Sequence, residues 1–497
     1  MMKINKIYKV LGVGLGLVSF TACTDLINDE KDSVVRESES GGFTPGNPTE
    51  LLASAYVDLG AYTDQNNIYA LGAHTSAEMI PPTRGVDWGD NGVWRTLDAH
   101  TWDAGHPAVR DTWNQLNQRA YKLTEILASN PTPAQAAQAK FLRAFHMFHV
   151  MDYYGQVPFR EVTQGVDDLP KVLTRSEAFD FIVKDLEEAL PVLANAGPAP
   201  QNGVANKAAA NFLLAKLYLN KGVYKAAKPE GPYTFDKADM DKVIGYANAV
   251  AASGYALESD YFTNFSTTAS KEIIFVSLEA TPQNRWFMTL HYNQNPSGWN
   301  GFATLADFYD TFEKGDSRIG MPAKGNGKEF SGIGHGFLIG QQIDDQGKNI
   351  IDTRSLKPLS FTRDVPLAGA ATEKGIRVIK YHPSTAGKYI LMRYAELYLM
   401  KAEAMLRGGD NAGALKMIND LRTLRKASAL ASLTQDNLFA EIGRELYWEG
   451  GKRTVEVRFG KFTNGTGAQV KENFTVLFPI PSQAMVSNPN LKQNEGY

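Results

Sequence analysis

The 497-residue chain contains a single cysteine, so no internal disulfide can form, whatever the redox state of its compartment. Stability has to come from burial, and a chain of this length can enclose a large core. Past the N-terminal segment, no apolar run approaches the roughly 20 residues that a membrane-crossing helix needs. An excess of one charge is also missing. Lys and Arg number 51 against 54 Asp and Glu, a net −3, and the balance turns more acidic if Lys3, Lys6 and Lys9 leave with a cleaved leader. Nucleic-acid binding, which needs a basic face, is disfavoured. The motifs of common chemistries are absent too. There is no HExxH helix, GxSxG elbow, P-loop or CxxC pair. The Gly-rich GNGKEFSGIGHGFLIG at 325–340 lacks both the GxGxxG spacing and the strand–helix context that motif requires.

What is present begins at the N-terminus. MMKINKIYK is basic and VLGVGLGLVS is short and apolar, the order of a secretory signal rather than of a fold element. The one cysteine, Cys23, follows the small residue Ala22 at the expected cleavage point. This resembles a bacterial lipoprotein box, which implies a leader over 1–22 and lipid on Cys23. Phe20 stands where leucine is usual, and plain cleavage with an unmodified Cys23 is the alternative. Asp25, Asp29, Glu30 and Asp32 then form an acidic tether within 23–49. Several acyl chains on one cysteine anchor a protein firmly, since each buried methylene adds roughly 0.8 kcal/mol.

From residue 50 onward helices dominate the pattern. TELLASAYVDLG ends at Gly60. Trp113, Leu116, Ala120, Leu123 and Leu127 step by three and four into one apolar stripe, closed by Asn130-Pro131. A second helix runs from Gln135 to Tyr154. A third opens at Thr174, with Glu177 completing a capping box. NKAAANFLLAKLYLNKG and the stretch from Met240 to about Ser253 form a helix pair with small residues where the two approach. RYAELYLMKAEAMLRGGDNAGALKMINDLRTL, 393–424, repeats that pattern, which is the tetratricopeptide arrangement. Arg393, Glu396, Glu403 and Arg407 share one face there and read as an ion-pair ridge. His146 and His149, three apart on the second helix, read as packing residues because no third metal ligand stands near. KEIIFVSLEA at 271–280 and GIRVIKYHP at 375–383 read as strands, with Gly-, Asp- and Thr-rich loops and short strands over 321–376. The expected fold is mainly α. A helical scaffold covers about 107–260 and 386–455, loops and an irregular strand-containing insertion cover about 61–106 and 265–385, and a C-terminal segment follows over 456–497, all in one unit from 50 to 497.

Ala61–Val109 shows little periodicity, and a loop of that length in a compact domain points to function. At its centre PPTRGVDWGDNGVWRTLDAHTWD, 81–103, holds three of the seven tryptophans, and Pro81-Pro82, Arg84-Gly85 and Asn91-Gly92 mark turns. Indole and phenol rings can cover the C–H face of a sugar, while Arg, Asp and Asn pair with neighbouring hydroxyls. Arg84, Asp87 and Trp88 are therefore the first candidates and Trp94 the next. Trp102 reads as packing, and Trp113 and Trp448 as core. RWFMTLHYNQNPSGWNGF at 285–302 offers the same mixture in Tyr292, Asn293, Asn295, Trp299 and Asn300. No metal or cofactor site is expected. A glycosidase needs only two carboxylates a few ångströms apart, which spacing alone leaves open.

RYAELYLMKAEAMLRGGD, EIGRELYWEGGKRTVEVRFGKF at 441–462 and LFPIPSQAMVSNPNLKQNEGY at 477–497 closely resemble the SusD/RagB family of surface glycan-binding lipoproteins of Bacteroidetes. AKFLRAFHMFHVMDYYGQVPF, FDFIVKDLEEALPVL and NKAAANFLLAKLYLNKG fit the same family, and the acidic tether resembles the export signal of its surface lipoproteins. Val455-Glu456-Val457 departs from the commoner Phe-Asp-Leu, which implies local repacking. The resemblance implies a SusD-like helical scaffold with a loop-rich ligand face and no catalysis. It further implies lipid anchoring through Cys23 at the cell surface of the outer membrane. The implied partner is a SusC-like TonB-dependent transporter to which captured oligosaccharide is delivered. PTRGVDW, 82–88, resembles a run in many members and raises Arg84, Asp87 and Trp88; the central insertion raises Tyr292, Asn293 and Trp299. Capture of peptide or host glycoprotein for a similar importer is the alternative, and a glycoside hydrolase a more distant one.

Overall fold

The structure, a computed structural model, describes residues 43–497 apart from 166–167, 280–281 and 464–471. The expected leader over 1–22, Cys23 and the acidic part of the tether lie outside the described residues. The fold is mainly helical, and its longer helices begin and end where local chemistry dictates. Helix α1 (Pro48–Val57) is capped by the Asn47 side chain. The next two are α2 (Asn67–Ala73) and α3 (Val93–Asp98). Helix α4 (Pro107–Ala128) buries Trp113, Leu116, Ala120 and Leu123 along one stripe. Helix α5 (Pro133–Tyr154) starts in a Thr132–Gln135 capping box and stops at Gly155, whose φ of 71° suits a residue without Cβ. Helix α6 (Arg175–Ala189) starts in the Thr174–Glu177 box. Helices α7 (Lys207–Leu219) and α8 (Lys237–Ala252) pack against each other, as do α9 (Tyr394–Arg407) and α10 (Asn411–Leu424), and α9 also packs on α7 and α8. Helices α11 (Gln435–Leu446) and α12 (Lys452–Arg458) follow.

Small antiparallel sheets join these blocks. Strands β1 (Gln156–Phe159) and β2 (Lys171–Thr174) form a pair. Strand β3 (Ile273–Ser277), buried at every position, pairs with β8 (Tyr389–Arg393). Between them, β4 (His335–Leu338) pairs with β7 (Arg377–Ile379), and β5 (Ile351–Asp352) with β6 (Lys357–Pro358) makes a hairpin. The two strands read from sequence are thus real but shorter, at 273–277 and 377–379.

The stretch 61–109 is less irregular than its sequence implies, because it contains α2 and α3. Every residue of α2 from Ile68 to Ala73 is buried. A helix covered on all sides carries no amphipathic period, which is why the pattern is silent there.

The insertion is tied to the helices by a buried network of arginines and carboxylates. Arg318 bonds Asp316 at 2.7 Å, Glu441 at 2.8 Å and Glu445 at 3.2 Å. Arg393 bonds Glu272 at 2.9 Å, Glu445 at 3.1 Å and Glu449 at 2.8 Å. Arg425 reaches Glu445 at 2.8 Å and Glu272 at 3.3 Å. Burial opposes ionisation of Glu445, yet Arg425, Arg393 and Arg318 hold its carboxyl well below the usual range. The face read as one ridge on α9 instead has three destinations. Arg393 joins this network, Glu396 pairs with Lys216 of α7 at 2.7 Å, and Glu403 binds Arg407 and Arg458, each at 2.8 Å.

Candidate functional site

The segment 80–88 is zipped between two distant stretches. Ile80 exchanges backbone hydrogen bonds with Ala303 at 2.9 and 3.0 Å. The Thr83 amide donates to the Leu367 carbonyl at 3.0 Å, and the Ala370 amide donates to the Thr83 carbonyl at 2.8 Å. A tight turn follows. The Arg84 and Asp87 amides donate to each other's carbonyls at 3.0 and 3.2 Å, with Gly85 in the left-handed region at φ 66°. Trp88, at φ 62°, emerges from this turn.

The second wall is built from 286–302. The Trp299 amide donates to the Phe287 carbonyl, and the Gly301 and Phe302 amides both donate to the Met288 carbonyl. This closes the loop and lays the Trp299 indole on the Phe287 ring, with centroids 5.5 Å apart and planes at 25°. The two walls join where Trp88 Nε1 donates to the Trp299 carbonyl at 2.9 Å; the indoles lie 6.4 Å apart and are inclined by 48°. Gly301 underlies this contact, since a Cβ there would overlap the Trp88 ring. Trp299 is 39% exposed and Trp88 and Phe287 are half-buried, so their rings are open to solvent.

Polar groups stand at the rim. The Tyr292 hydroxyl donates to Asp87 Oδ2 at 2.6 Å, and Arg354 Nη1 donates to the same oxygen at 2.9 Å. The Arg354 guanidinium lies 4.3 Å above the Tyr292 ring. The Tyr292 and Arg354 hydrogen bonds hold the Asp87 carboxyl below its usual range, while burial and Asp87 push the Tyr292 phenol up to about 12. Asp87 is therefore an anion and Tyr292 a neutral donor at ordinary pH. Asn293 pairs its amide with the backbone N–H and hydroxyl of Thr353, at 3.2 and 3.3 Å.

Of the seven side chains proposed from sequence, Asp87, Trp88, Tyr292, Asn293 and Trp299 share this one surface. Two do not reach it. Arg84 is buried at 1% exposure. Its donors are spent on the carbonyls of Gly301, Ala371 and Lys374, at 3.4, 2.6 and 2.8 Å. Its burial in the absence of a bonded carboxylate lowers its pKa to about 10. It holds loops together and cannot offer a fork to a ligand. Trp94 is buried at 5% exposure, donates to Asp90 at 2.6 Å and supports Trp88 from beneath, with ring centroids 5.6 Å apart. Trp102 is a packing residue, donating to the Tyr497 hydroxyl at 2.6 Å. Asn300 is also interior, bonded to Arg377 and the Thr372 carbonyl. Arg354, Thr353 and Phe287 lie on the same surface, and nothing in the sequence marks them. Arg354 and Thr353 sit at the β5–β6 tip, whose Asp-Thr-Arg-Ser text reads as an ordinary turn. Among the described residues no group of three His, Cys, Asp or Glu side chains could hold a metal ion.

Two family models match this chain: the one described as SusD family over residues 303–458, and the one described as starch-binding associating with outer membrane over 50–205. The starch-binding protein SusD of Bacteroides thetaiotaomicron is 26% identical in an alignment covering 100% of both chains. SusD-like protein P2 of Formosa agariphila is 24% identical over 78% of this chain and 79% of its own. Among solved structures, a SusD-like protein from Bacteroides fragilis superposes with a TM-score of 0.70 at 21% identity, covering 90% of this chain and 96% of the other. A laminarin-binding SusD-like protein gives 0.68 at 19% identity, covering 90% and 99%.

Proposed function

The chain is a SusD-like protein, and from that premise we propose that it binds oligosaccharide or polysaccharide at the outer-membrane surface without cleaving it and passes it to a TonB-dependent transporter of the SusC type. The observation that carries the reading is the meeting of Trp88 and Trp299, 211 residues apart, with Asp87, Tyr292 and Arg354 at their edge. Two inclined indoles cover C–H faces of sugar rings without needing hydrogen bonds, and the rim supplies charged and neutral groups for hydroxyls. One relative is named for starch and a structural neighbour for laminarin. Glycan binding is therefore what carries over, and the linkage is this chain's own property. An open surface of this kind corresponds to micromolar to millimolar affinity, roughly 4 to 8 kcal/mol.

The test is a polysaccharide panel in affinity gels with the mature chain and its Trp88→Ala variant. Retardation by at least one neutral or acidic glycan, lost in the variant, with no reducing sugar released, is the expected result. Release of reducing sugar, or binding that ignores Trp88, refutes the reading. Delivery and anchoring have separate readouts. A tagged chain should co-purify with a TonB-dependent barrel, and Cys23→Ala should free the protein from the membrane fraction.

A further inference from the structure

Helix α5 is buried at every position from Phe141 to Tyr154 except one, His149. Its imidazole is surrounded by the rings of Tyr62, Phe145, Phe148 and Tyr153, with centroids 5.1 to 6.0 Å away. Neither ring nitrogen makes a hydrogen bond within the described residues. What His149 faces is a cavity of about 110 Å³ between α2, α5, α7, β8 and the α11–α12 junction.

Three further features of this cavity point to a ligand. Tyr389 is 6% exposed and lines the cavity, yet its hydroxyl has no hydrogen-bond partner among the described residues. Lys216 and Glu396 meet at 2.7 Å in the wall and neutralise each other. The rest of the lining is mainly apolar, with rings such as Tyr69, Phe148 and Phe212 facing aliphatic side chains such as Leu213, Ile390 and Val455. Burial and the nearby Lys216 lower the His149 pKa to about 3, so its imidazole is neutral and can accept as well as donate.

We propose that this cavity is a binding site for one small neutral aromatic alcohol, a phenol. The volume is of the order of the roughly 150 Å³ cavity that takes up benzene. The apolar walls, part aromatic and part aliphatic, receive the ring, and the unpartnered His149 and Tyr389 groups receive its single hydroxyl. A hexose suits the space poorly, because it brings several hydroxyls to few partners, and a buried hydroxyl left unpaired weakens binding. A charged ligand is disfavoured because the charges of the lining are engaged elsewhere: Lys216 with Glu396, Glu449 with Lys380 and Arg393, and the Lys452 ammonium over the Phe308 and Phe439 rings, 5.3 and 4.8 Å away. The cavity shares no residue with the Trp88–Trp299 surface, so this site stands or falls independently of glycan binding.

The test titrates the mature chain with phenol, with benzoate and glucose as parallel arms, by calorimetry and by nuclear Overhauser effects from phenol to the methyl groups of Leu213, Ile390 and Met392. Phenol should saturate one site and show those Overhauser effects, with benzoate and glucose at least about tenfold weaker, the equivalent of one hydrogen bond. His149→Phe and Val455→Phe should each weaken phenol by about tenfold or more while preserving circular dichroism, and Trp299→Ala should leave phenol binding unchanged. Absence of saturable binding to the folded wild type, Overhauser effects to other methyls, or benzoate binding as tightly as phenol overturns the proposal. The Overhauser readout uses wild-type protein and decides the question even if both cavity variants misfold.

Discussion

Replacing Trp299 by alanine removes the most open ring of the candidate surface while leaving its scaffold in place. The backbone carbonyl that accepts from Trp88 Nε1 is retained in the variant, as is the loop closure through the Trp299 amide. Trp299 is 39% exposed, so of the roughly 250 Å² of a tryptophan about 100 Å² faces solvent. A sugar ring laid on half of that area, with a matching area of its own, removes about 100 Å² from water, worth about 2.5 kcal/mol at 25 cal/mol/Å². Partial wetting of a surface site lowers the effective figure to about 1–2.5 kcal/mol, a loss of roughly 5- to 70-fold in affinity. Calorimetry on the glycan that retards the wild type in affinity gels measures it directly. Trp299→Phe should recover part of the loss. A Trp299→Ala variant with native thermal unfolding and affinity within about twofold of wild type would refute the assignment of this ring to ligand, since that change is below 0.5 kcal/mol.

Other outcomes follow from the packing around and beneath the site. Gly301→Ala should push the Trp88 indole off its seat, lowering stability by about 1–3 kcal/mol and weakening glycan binding, with tryptophan fluorescence reporting the shift. Glu445→Gln leaves Arg318, Arg393 and Arg425 facing a neutral amide in the interior and should cost about 3–5 kcal/mol, read as a lower urea midpoint. Glu78 is fully buried with both carboxylate oxygens unpartnered, and burial raises its pKa from 4.5 to about 7. The folded state therefore holds this proton more tightly than the unfolded chain. The associated stability is complete below about pH 4.5 and is lost as pH rises to about 7. Glu78→Gln should flatten that slope and make the protein more stable than wild type at pH 8 by up to about 3 kcal/mol, measured by urea unfolding at several pH values.

The helical scaffold was legible because its signals are local. The Trp113–Leu123 stripe, the Thr174–Glu177 box and the glycine after Tyr154 each act within a turn or two of chain. Helix α2 was not legible, since burial on every side removes the period that would announce it. The site was half legible. Tryptophans among turn residues mark an open aromatic surface, and the structure brings Trp88 and Trp299 together on one. Arg84 misled because a guanidinium beside Asp87 and Trp88 looks like a ligand fork, whereas its actual acceptors lie 217 to 290 residues away. Trp94 misled because only tertiary packing decides which indole of a cluster faces out. Arg354 was missed because nothing near it in sequence is aromatic; its role comes from Asp87, 267 residues distant.

Arg84 and Arg377 hold the loops behind the aromatic surface mainly by main-chain oxygens. Arg377 donates to the carbonyls of Lys374, Gly375 and Thr372 at 2.6, 2.9 and 2.9 Å, as Arg84 does to those of Gly301, Ala371 and Lys374. A carbonyl is the same whatever side chain its residue carries. Substitutions at 371, 372 and 374 can therefore accumulate without loosening the clamp. Side chains at these positions can change while the geometry that supports the aromatic surface is kept.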